Sequence, residues 1–386
     1  MNRKKILHII TGLEVGGAET NLSRVIPHIE KDFENRIVCL KGEGVIGERF
    51  KKNNIPVYYL HIEGIFDFFN PRVIYNFRKI IKDFRPDVIE TYLIHADIFG
   101  RVWGRIFGVK KIICSHRGSL LQWEWFSFMD KITSFLVTKY VFQTPSAQKE
   151  IAKKLGINLN KTTVIPNVID LKSFEFDINK NEKMKELGIK EENINIVSVS
   201  NLRKGKGHKY LIEAFNEVFK ENKNIHPVKS SPGEVGKAEF NGVNLIIVGD
   251  GDQRPILQNQ ADISEARENI YFLGKRSDVL EILKISEIFI LPTFYEGMSN
   301  AIMEAMASKL AIITTNIKVN HDLIKDSYSG ILVPVANSEA IKNSMLRLLE
   351  SPEERIRLGE NALNEIKNKY SLEIVSEKIA NLFESL

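Results

Sequence analysis

The feature that most constrains this chain is the alternation of short apolar runs with longer stretches of helical periodicity. The first half contains runs such as "KKILHII" and "KIICS", and the second half repeats the order with "INIVSVS" and "NLIIVG". This alternation is typical of βα units that surround parallel sheets. It predicts an α/β chain made of two doubly wound domains, one after the other.

The domain boundary is expected near residues 165–193, where Pro166 and a charged, Asn-rich run separate the two sets of strands. We therefore predict a first domain over residues 1–168 and a second over residues 169–370. A terminal amphipathic helix over residues 371–386 is expected to cross back to the first domain. The length of 386 residues fits two domains of roughly 150–200 residues each.

Composition narrows the class of protein. The chain has 54 Lys and Arg residues against 49 Asp and Glu residues, a net +5 that suits phosphorylated ligands or an anionic membrane surface. This excess is too small to indicate nucleic acid. Two cysteines, Cys39 and Cys114, give no disulfide framework and favour a reducing compartment. No run of 18 apolar residues is present, so we expect a cytoplasmic protein, with peripheral contact to the inner face of a membrane left open.

Two loops follow predicted strands and open predicted helices. In "TGLEVGGAET", Gly16 and Gly17 precede a helix whose free N–H groups and dipole favour an anion. In "NLRKGKGHK", four cations gather at the same kind of turn: Arg203, Lys204, Lys206 and Lys209. The alternatives are plain turn chemistry and a solvated basic face. We favour contact with an anionic ligand at the first loop and binding of a diphosphate at the second.

A D-x-D pair, Asp250 and Asp252, lies in "IIVGDGDQRP". Such a pair can hold a divalent ion, but Gly and Asp are also ordinary residues of a turn that leaves a strand. Because a cationic loop can neutralise a phosphate by itself, we expect no metal ion at this pair.

A second acidic pair lies in "FYEGMSNAIMEAMA", where Glu296 and Glu304 are eight positions apart among small or apolar residues. Carboxylates are seldom buried without partners. If a helix begins near Ser299, Glu304 lies about two turns from Glu296. That separation suits one acid at each end of a long ligand better than two acids that flank one bond.

These motifs, in this order, resemble those of retaining glycosyltransferases of the GT-B fold, in particular glycosyltransferase family 4 (glycosyl transferases group 1). The resemblance rests on "GGAE", "VIPNVID", "NLRKGKG", "EGMSNAIMEAMASKLAIITT" and "SGILVP", and spans nearly the whole chain. It implies two Rossmann-like domains that face each other across a cleft. The C-terminal domain would bind a nucleotide-activated sugar and the N-terminal domain the acceptor.

The resemblance also implies roles for residues of the second domain. Arg203 and Lys206 correspond to the basic pair on the donor diphosphate, although Asn201 replaces the more usual arginine two positions earlier. Glu296 would contact the donor sugar and Glu304 the ribose. The other donor-side positions are Lys275 and Arg276 beside the base, and the helix start at Met298, Ser299 and Asn300.

In the first domain, His116 of "ICSHRGS" matches the family histidine near the reacting sugar carbon, and His95 of "TYLIHADIFGR" is a second acceptor-side candidate. Either histidine could instead be a satisfied structural group. The run "LLQWEWFSFMDKITSFLVTKY" is rich in aromatic residues. Its spacing predicts a core stripe that includes Phe128, Ile132 and Phe135. Trp123 and Phe126 lie off that stripe. The simpler interpretation is a buried helix with surface aromatic residues, and the alternative is docking of a lipid-linked acceptor or a membrane.

The resemblance therefore implies a retaining glycosyltransferase that moves a sugar from a nucleotide-diphosphate sugar to a hydroxyl or lipid-linked sugar acceptor, in the synthesis of a cell-surface polysaccharide or glycolipid. A UDP-sugar is favoured as co-substrate over a GDP-sugar, with no further cofactor. A GT-B nucleotide-sugar epimerase and a non-catalytic nucleotide-sugar-binding subunit stay open as alternatives. A dinucleotide oxidoreductase is disfavoured, because the first loop lacks G-x-G-x-x-G.

Overall fold

The computed structural model describes residues 3–117, 124–224 and 242–386. The chain divides into two compact units, Met1–Asp170 with Lys369–Leu386, and Leu171–Asn368. Each unit is an α/β layer structure built on a parallel sheet, so the predicted fold class of two successive doubly wound units is confirmed.

The first unit contains a seven-stranded sheet in the order β3-β2-β1-β4-β5-β6-β7. Its strands are β1 Lys4–Ile10, β2 Phe33–Cys39, β3 Val57–Tyr59, β4 Val88–Tyr92, β5 Lys111–His116, β6 Lys139–Phe142 and β7 Thr162–Val164. Its helices are α1 Gly17–Ile29, α2 Val45–Lys52, α3 Pro71–Phe84, α4 Ile94–Ile106, α5 Glu124–Thr133 and α6 Pro145–Leu155. Short 3₁₀ turns occur at Ile65–Phe69, Ser134–Leu136 and Leu159–Lys161.

The second unit contains a six-stranded sheet in the order β10-β9-β8-β11-β12-β13. Its strands are β8 Ile194–Val199, β9 Val243–Val248, β10 Ile270–Gly274, β11 Ile288–Leu291, β12 Ala311–Thr315 and β13 Ile331–Val333. Its helices are α7 Lys180–Glu186, α8 His208–Asn224, α9 Arg254–Asp262, α10 Val279–Lys284, α11 Asn300–Ala307, α12 Lys318–Leu323, α13 Ser338–Glu350 and α14 Pro352–Lys369. Further 3₁₀ turns lie at Leu171–Phe174, Lys204–Lys206 and Arg267–Asn269.

Central strands of both parallel sheets are buried on both faces. All six residues of β9, "VNLIIV", are buried, as expected where helices cover both faces of a sheet. The strand order reverses between β1 and β4 in the first unit and between β8 and β11 in the second. In doubly wound sheets, ligands bind at the carboxyl ends of strands beside such a reversal. The loops after these strands are therefore the first places to look for a site.

The last helix, α15 Leu372–Ser385, belongs to the first unit. Val375, Ile379 and Phe383 are buried with residues of β1, β2 and α1 in one apolar cluster. Lys4 donates a hydrogen bond from its Nζ to the carbonyl oxygen of Phe383 at 2.8 Å. The end of the chain thus completes the core in which its beginning lies. Among the described residues, no helix combines the length and apolar character that crossing a membrane requires.

The aromatic run of the first unit differs from its predicted packing. Helix α5 ends at Thr133, and the predicted core stripe is wrong at Phe128, Ile132 and Phe135, which are exposed. Met129 of the same stripe does pack against the core. Asp130 of the same helix is fully buried instead. Apolar spacing identifies an amphipathic helix but does not determine which side faces the core. Here Asp130 faces the core, where it pairs with the buried Arg101 of α4.

Candidate functional site

A pocket of about 710 Å³ lies at the carboxyl ends of four strands of the second unit. Its lining includes Asn201, Arg203 and Lys204 after β8, Asp250 after β9, Lys275 after β10 and Tyr295 after β11. The predicted donor-side residues Asn201, Arg203 and Lys275 are therefore brought to one cavity by the sheet topology. The cavity lies beside the strand-order reversal, where this fold places its ligands.

The charge around this pocket suits an anion. Arg203, Lys204 and Lys275 are exposed, and none of these three has a carboxylate partner within the part of the chain that the structure describes. Asp250 is already engaged, because one carboxylate oxygen accepts from the Gly251 N–H at 2.8 Å. Its other oxygen lies 3.5 Å from the Arg254 guanidinium. Three cations without a carboxylate partner thus remain for an anionic ligand.

Lys206 and Glu296 form an ion pair beside the pocket. The Lys206 Nζ lies 2.5 Å from a carboxylate oxygen of Glu296, and the side chains are only 21% and 10% exposed. A lysine ammonium has three N–H donors, so this contact leaves two for a ligand. The two residues are 90 positions apart in the sequence, and the pairing was not predicted.

Backbone contacts hold this pair in place. The Phe294 N–H donates to the Gly205 carbonyl oxygen at 2.8 Å, which ties the basic loop to the segment after β11. Gly207 has φ +72°, and a Cβ there would lie 2.0 Å from the Pro292 carbonyl oxygen. A glycine is therefore needed at 207 for the loop to approach β11. A Cβ on Gly205 would lie 2.4 Å from the hydroxyl of Tyr295.

Helix α11, Asn300–Ala307, begins four residues after Glu296 and contains the second acid, Glu304. Ser299 is its N-cap and accepts a hydrogen bond from the Ile302 N–H at 3.4 Å. Met298 and Ser299 are buried, and Asn300 is the first helical residue. Glu304 is half-buried one turn further on. Contact of this helix start and of Glu304 with a donor stays a prediction.

Lys275 and Arg276 differ in their surroundings. Lys275 lines the pocket, whereas Arg276 donates two hydrogen bonds to Asp278, at 2.7 and 2.6 Å. The hydrogen bonds from Arg276, together with Lys183, hold the pKa of Asp278 well below its usual range. Arg276 is thus committed to a protein partner, and of the two residues Lys275 is the one poised for a ligand.

In the first unit, Gly16 and Gly17 lie at the N-terminus of α1, with Gly16 as the N-cap. The Glu19 carboxylate folds over this end, and a Cβ on Gly16 would lie 2.3 Å from one of its oxygens. Burial raises the pKa of Glu19 above its ordinary value. A ligand phosphate at this helix end would therefore share it with Glu19, a neighbour that the glycine motif did not reveal.

His116 ends β5 and is almost completely buried. Its ring stacks on Tyr140 and Phe142, with centroids 5.7 and 5.4 Å away. Its Nε2 lies 3.6 Å from a carboxylate oxygen of Asp130, whose other oxygen lies 2.5 Å from Nη1 of Arg101. Arg101 and Asp130 are fully buried. The predicted histidine thus lies beside a buried ion pair at the carboxyl edge of the sheet.

Asp97 completes this buried polar group. It lies fully buried on α4 and accepts a hydrogen bond from the Thr91 hydroxyl at 2.6 Å. Burial raises its pKa to about 6, although His116 and Arg101 oppose the shift.

His95 opens α4 at the end of β4 and is half-buried. Burial lowers its pKa, and the nearby Lys41 lowers it further. Leu93, just before it, has φ +72°, a backbone conformation that costs a branched residue roughly 1–3 kcal/mol. Such strain is found more often where a chain positions a functional group than elsewhere. Of the other acceptor-side candidates, Trp123 and the side chain of Phe126 lie outside the described residues.

Family comparisons agree with this geometry. Residues 179–365 match the family described as "Glycosyl transferases group 1", and residues 15–173 match "Glycosyltransferase Family 4". Together these matches cover most of both units. The chain is a GT-B glycosyltransferase of family 4.

Curated relatives of this glycosyltransferase are of similar length. It is 28% identical over 319 residues to "UDP-Gal:alpha-D-GlcNAc-diphosphoundecaprenol alpha-1,3-galactosyltransferase" of Escherichia coli, covering 79% of this chain and 77% of the relative. It is 24% identical over 323 residues to "N,N'-diacetylbacillosaminyl-diphospho-undecaprenol alpha-1,3-N-acetylgalactosaminyltransferase" of Campylobacter jejuni, covering 79% of both.

Solved structures share the fold of this glycosyltransferase at low identity. Anabaena Alr3699/HepE, solved in complex with UDP and glucose, superposes with a TM-score of 0.83 at 18% identity, covering 100% of both chains. A glycosyltransferase from Rickettsia africae also superposes with a TM-score of 0.83, at 19% identity. At this identity the likeness shows the fold alone.

Sequence reasoning missed several residues of this glycosyltransferase. Tyr295 lines the pocket and stands directly before Glu296, so its position in the motif was a usable signal. The buried Arg101–Asp130 pair had no such signal, because each residue lies in a run that reads as an ordinary amphipathic helix. His208, the first residue of α8, was also missed, although it directly follows the basic loop.

His208 gives this glycosyltransferase a predicted pH dependence of stability. Its ring is buried, Nε2 lies 3.2 Å from the Ser200 hydroxyl, and burial together with Lys206 lowers its pKa to about 4. The unfolded chain binds this proton near pH 6.5, so the contribution of His208 is present above pH 6.5 and is lost as the pH falls through 4. The shift corresponds to about 3 kcal/mol of unfolding free energy.

Urea unfolding of wild type and His208→Gln between pH 7 and 4 checks this value. We expect wild type to lose about 3 kcal/mol more than the variant over that range. His321→Gln, at an exposed histidine of α12, serves as the matched control and should follow wild type. Parallel curves for wild type and His208→Gln would contradict the assignment.

Proposed function

We propose that this enzyme is a retaining glycosyltransferase that moves a sugar from a UDP-sugar to a lipid-linked sugar acceptor, in the synthesis of a cell-surface polysaccharide or glycolipid. The observation that carries the proposal is the pocket of uncommitted cations at the carboxyl ends of β8 and β10, with the Lys206–Glu296 pair beside it. The cations of the pocket suit a diphosphate, and the Glu296 carboxylate, which pairs with Lys206, suits the hydroxyl groups of a sugar attached to it.

The charge of the pocket supports a nucleotide-diphosphate sugar as donor. Arg203 offers a planar fork for phosphate oxygens, and Lys204 and Lys275 supply point charges from neighbouring loops. A UDP-sugar is favoured over a GDP-sugar because the Escherichia coli relative is named for UDP-galactose and the Anabaena neighbour was solved with UDP. Because the cations can neutralise the diphosphate, the proposed reaction uses no divalent ion.

The proposed chemistry follows from where charge develops. The bond between the anomeric carbon and the diphosphate oxygen breaks, and the acceptor hydroxyl oxygen bonds to that carbon on the same face. The acceptor proton passes to the departing phosphate. Lys206, oriented by Glu296, would stabilise the negative charge on the leaving group, while Glu296 accepts a hydrogen bond from a sugar hydroxyl. Preorganised charge of this kind is usually the largest catalytic contribution.

Two histidines of the first unit and the names of two curated relatives support the acceptor class. His95 lies after β4 and His116 ends β5, both at the edge of the sheet where ligands bind in this fold. The curated relatives from Escherichia coli and Campylobacter jejuni are named for sugar acceptors on diphosphoundecaprenol. A sugar on a lipid diphosphate is therefore the acceptor class that we propose.

A donor panel tests the proposal. We expect transfer from at least one of UDP-glucose, UDP-galactose, UDP-GlcNAc or UDP-GalNAc to a sugar-diphosphate-lipid acceptor, undiminished by EDTA, with NMR showing the donor's anomeric configuration in the product. Lys204→Ala should slow transfer by roughly tenfold or more. Lys209→Ala is the matched control, because Lys209 pairs with Glu213 outside the pocket. Inverted product would refute retention, and transfer from GDP-sugars alone would refute the UDP assignment.

A further inference from the structure

Three large aromatic side chains of the first unit are exposed to solvent close together in the chain. Phe66 and Phe69 are 88% and 70% exposed in the 3₁₀ turn Ile65–Phe69, and Tyr75 is 67% exposed in the following helix, α3. Side chains three residues apart in a 3₁₀ turn lie on the same side, so Phe66 and Phe69 project together. Clustered exposed aromatic residues mark an interaction surface more often than an ordinary solvated one.

Cations continue this surface along α3. Arg72, Tyr75, Lys79 and Lys82 follow each other at helical spacing and are all exposed, while Phe77 on the opposite side is buried. Helix α3 contains four cations and one acid, Asp83. Within the part of the chain that the structure describes, Arg72, Lys79 and Lys82 have no carboxylate partner. We call Phe66, Phe69, Arg72, Tyr75, Lys79 and Lys82 the aromatic-basic face.

A basic groove extends the face at the other end of α3. It has a volume of about 930 Å³ and is lined by Lys82, Arg85, Ile106 and Lys110, among others. Ile106 is 61% exposed, so apolar and cationic groups alternate there as well. Positive charge therefore runs the whole length of α3, with aromatic side chains concentrated at its start.

We propose that the aromatic-basic face binds an anionic lipid bilayer. Aromatic residues beside lysines suit the headgroup region, where rings enter the acyl boundary and ammonium groups meet lipid phosphates. Lysine is depleted at protein–protein interfaces, so the composition favours a membrane over a protein partner. The aromatic end follows β3 and lies at the carboxyl edge of the sheet, the same edge as His95 and His116. Membrane binding through this face would bring a lipid-linked acceptor to that edge. The binding itself does not require sugar transfer.

Vesicle flotation of the full chain tests the proposal without donor or acceptor. At low salt, wild type should float with vesicles of phosphatidylcholine and phosphatidylglycerol and not with phosphatidylcholine alone. Phe66→Ser/Phe69→Ser should reduce binding at least tenfold. Lys79→Glu/Lys82→Glu should reduce it similarly, and added salt should weaken wild-type binding. All four side chains are exposed, so circular dichroism and melting temperature should stay near wild type.

Matched controls come from the second unit and from α5. Ile256→Ser/Ile263→Ser removes apolar groups that are 62% and 79% exposed and should float like wild type. Failure of wild type to float, equal binding to neutral vesicles, or full binding by the Phe66/Phe69 variant would overturn the proposal. So would loss of binding only on Ile132→Ser/Phe135→Ser, which would assign the contact to the region around α5. Transfer to a water-soluble acceptor should be unchanged in the Phe66/Phe69 variant, which separates this proposal from the enzymatic one.

Discussion

Replacement of Glu296 by Gln is expected to lower kcat for sugar transfer by roughly 100- to 1,000-fold. The substitution keeps the size of the side chain but removes the charge that pairs with Lys206 at 2.5 Å. In the proposed mechanism, Lys206 would then no longer be held toward the leaving phosphate, and a sugar hydroxyl would lose a charged acceptor. The kcat is measured from the release of UDP at saturating donor.

Glu213→Gln is the matched control for this prediction. Glu213 also pairs with a lysine of the same region, Lys209, at 3.7 Å, but lies outside the pocket. We expect kcat of this variant to stay within about twofold of wild type. If Glu296→Gln retained near wild-type kcat, or if both variants lost activity equally, the role of Glu296 would be wrong. The melting temperatures of both variants show whether a loss of activity reflects unfolding.

Replacement of Arg101 by Met is expected to lower the free energy of unfolding by about 3–5 kcal/mol. Arg101 and Asp130 are fully buried and 2.5 Å apart. Removal of the guanidinium leaves the Asp130 carboxylate as an unpaired charge in the interior. Urea unfolding at pH 7 measures the loss.

A double variant separates the cost of an unpaired charge from the value of the pair. Arg101→Met/Asp130→Leu removes both charges, and we expect it to recover most of the lost stability. Lys51→Met, at an exposed pair with Glu48, should change stability far less. A cost of Arg101→Met no larger than that of Lys51→Met would contradict the buried pair.

The fold could be predicted because its signal is local. The run "KKILHII" corresponds to strand β1, Lys4–Ile10, whose last five residues are all buried, and four of those five are apolar, as expected for a strand covered on both faces. The helical pattern between successive strands then predicts parallel pairing, because two consecutive parallel strands must be joined by a long crossover segment, usually a helix. Packing of individual helices was less predictable. Periodicity in α5 predicted that Phe128 and Ile132 face the core, but both are exposed. The side of the helix that faces the core contains Asp130, which pairs with the buried Arg101.

The candidate site was predictable only in part. Parallel topology brings loops after β8, β9, β10 and β11 to one edge, so residues found in those loops from the sequence do line one pocket. Side-chain partners were not predictable in the same way. The Lys206–Glu296 contact and the commitment of Arg276 to Asp278 depend on loop conformations that glycines such as Gly207 permit. The sequence identifies where charge gathers, while the contacts decide which charges remain available to a ligand.

Calorimetric titration with UDP, in EDTA, tests the central claim that the second unit binds a nucleoside diphosphate through its uncommitted cations. We expect wild type to bind UDP, Arg203→Ala/Lys204→Ala to weaken binding by roughly 100-fold or more, and Lys209→Ala to bind like wild type. Binding of UDP that is unchanged by the Arg203/Lys204 substitutions, or no binding by wild type at millimolar UDP, would contradict the account.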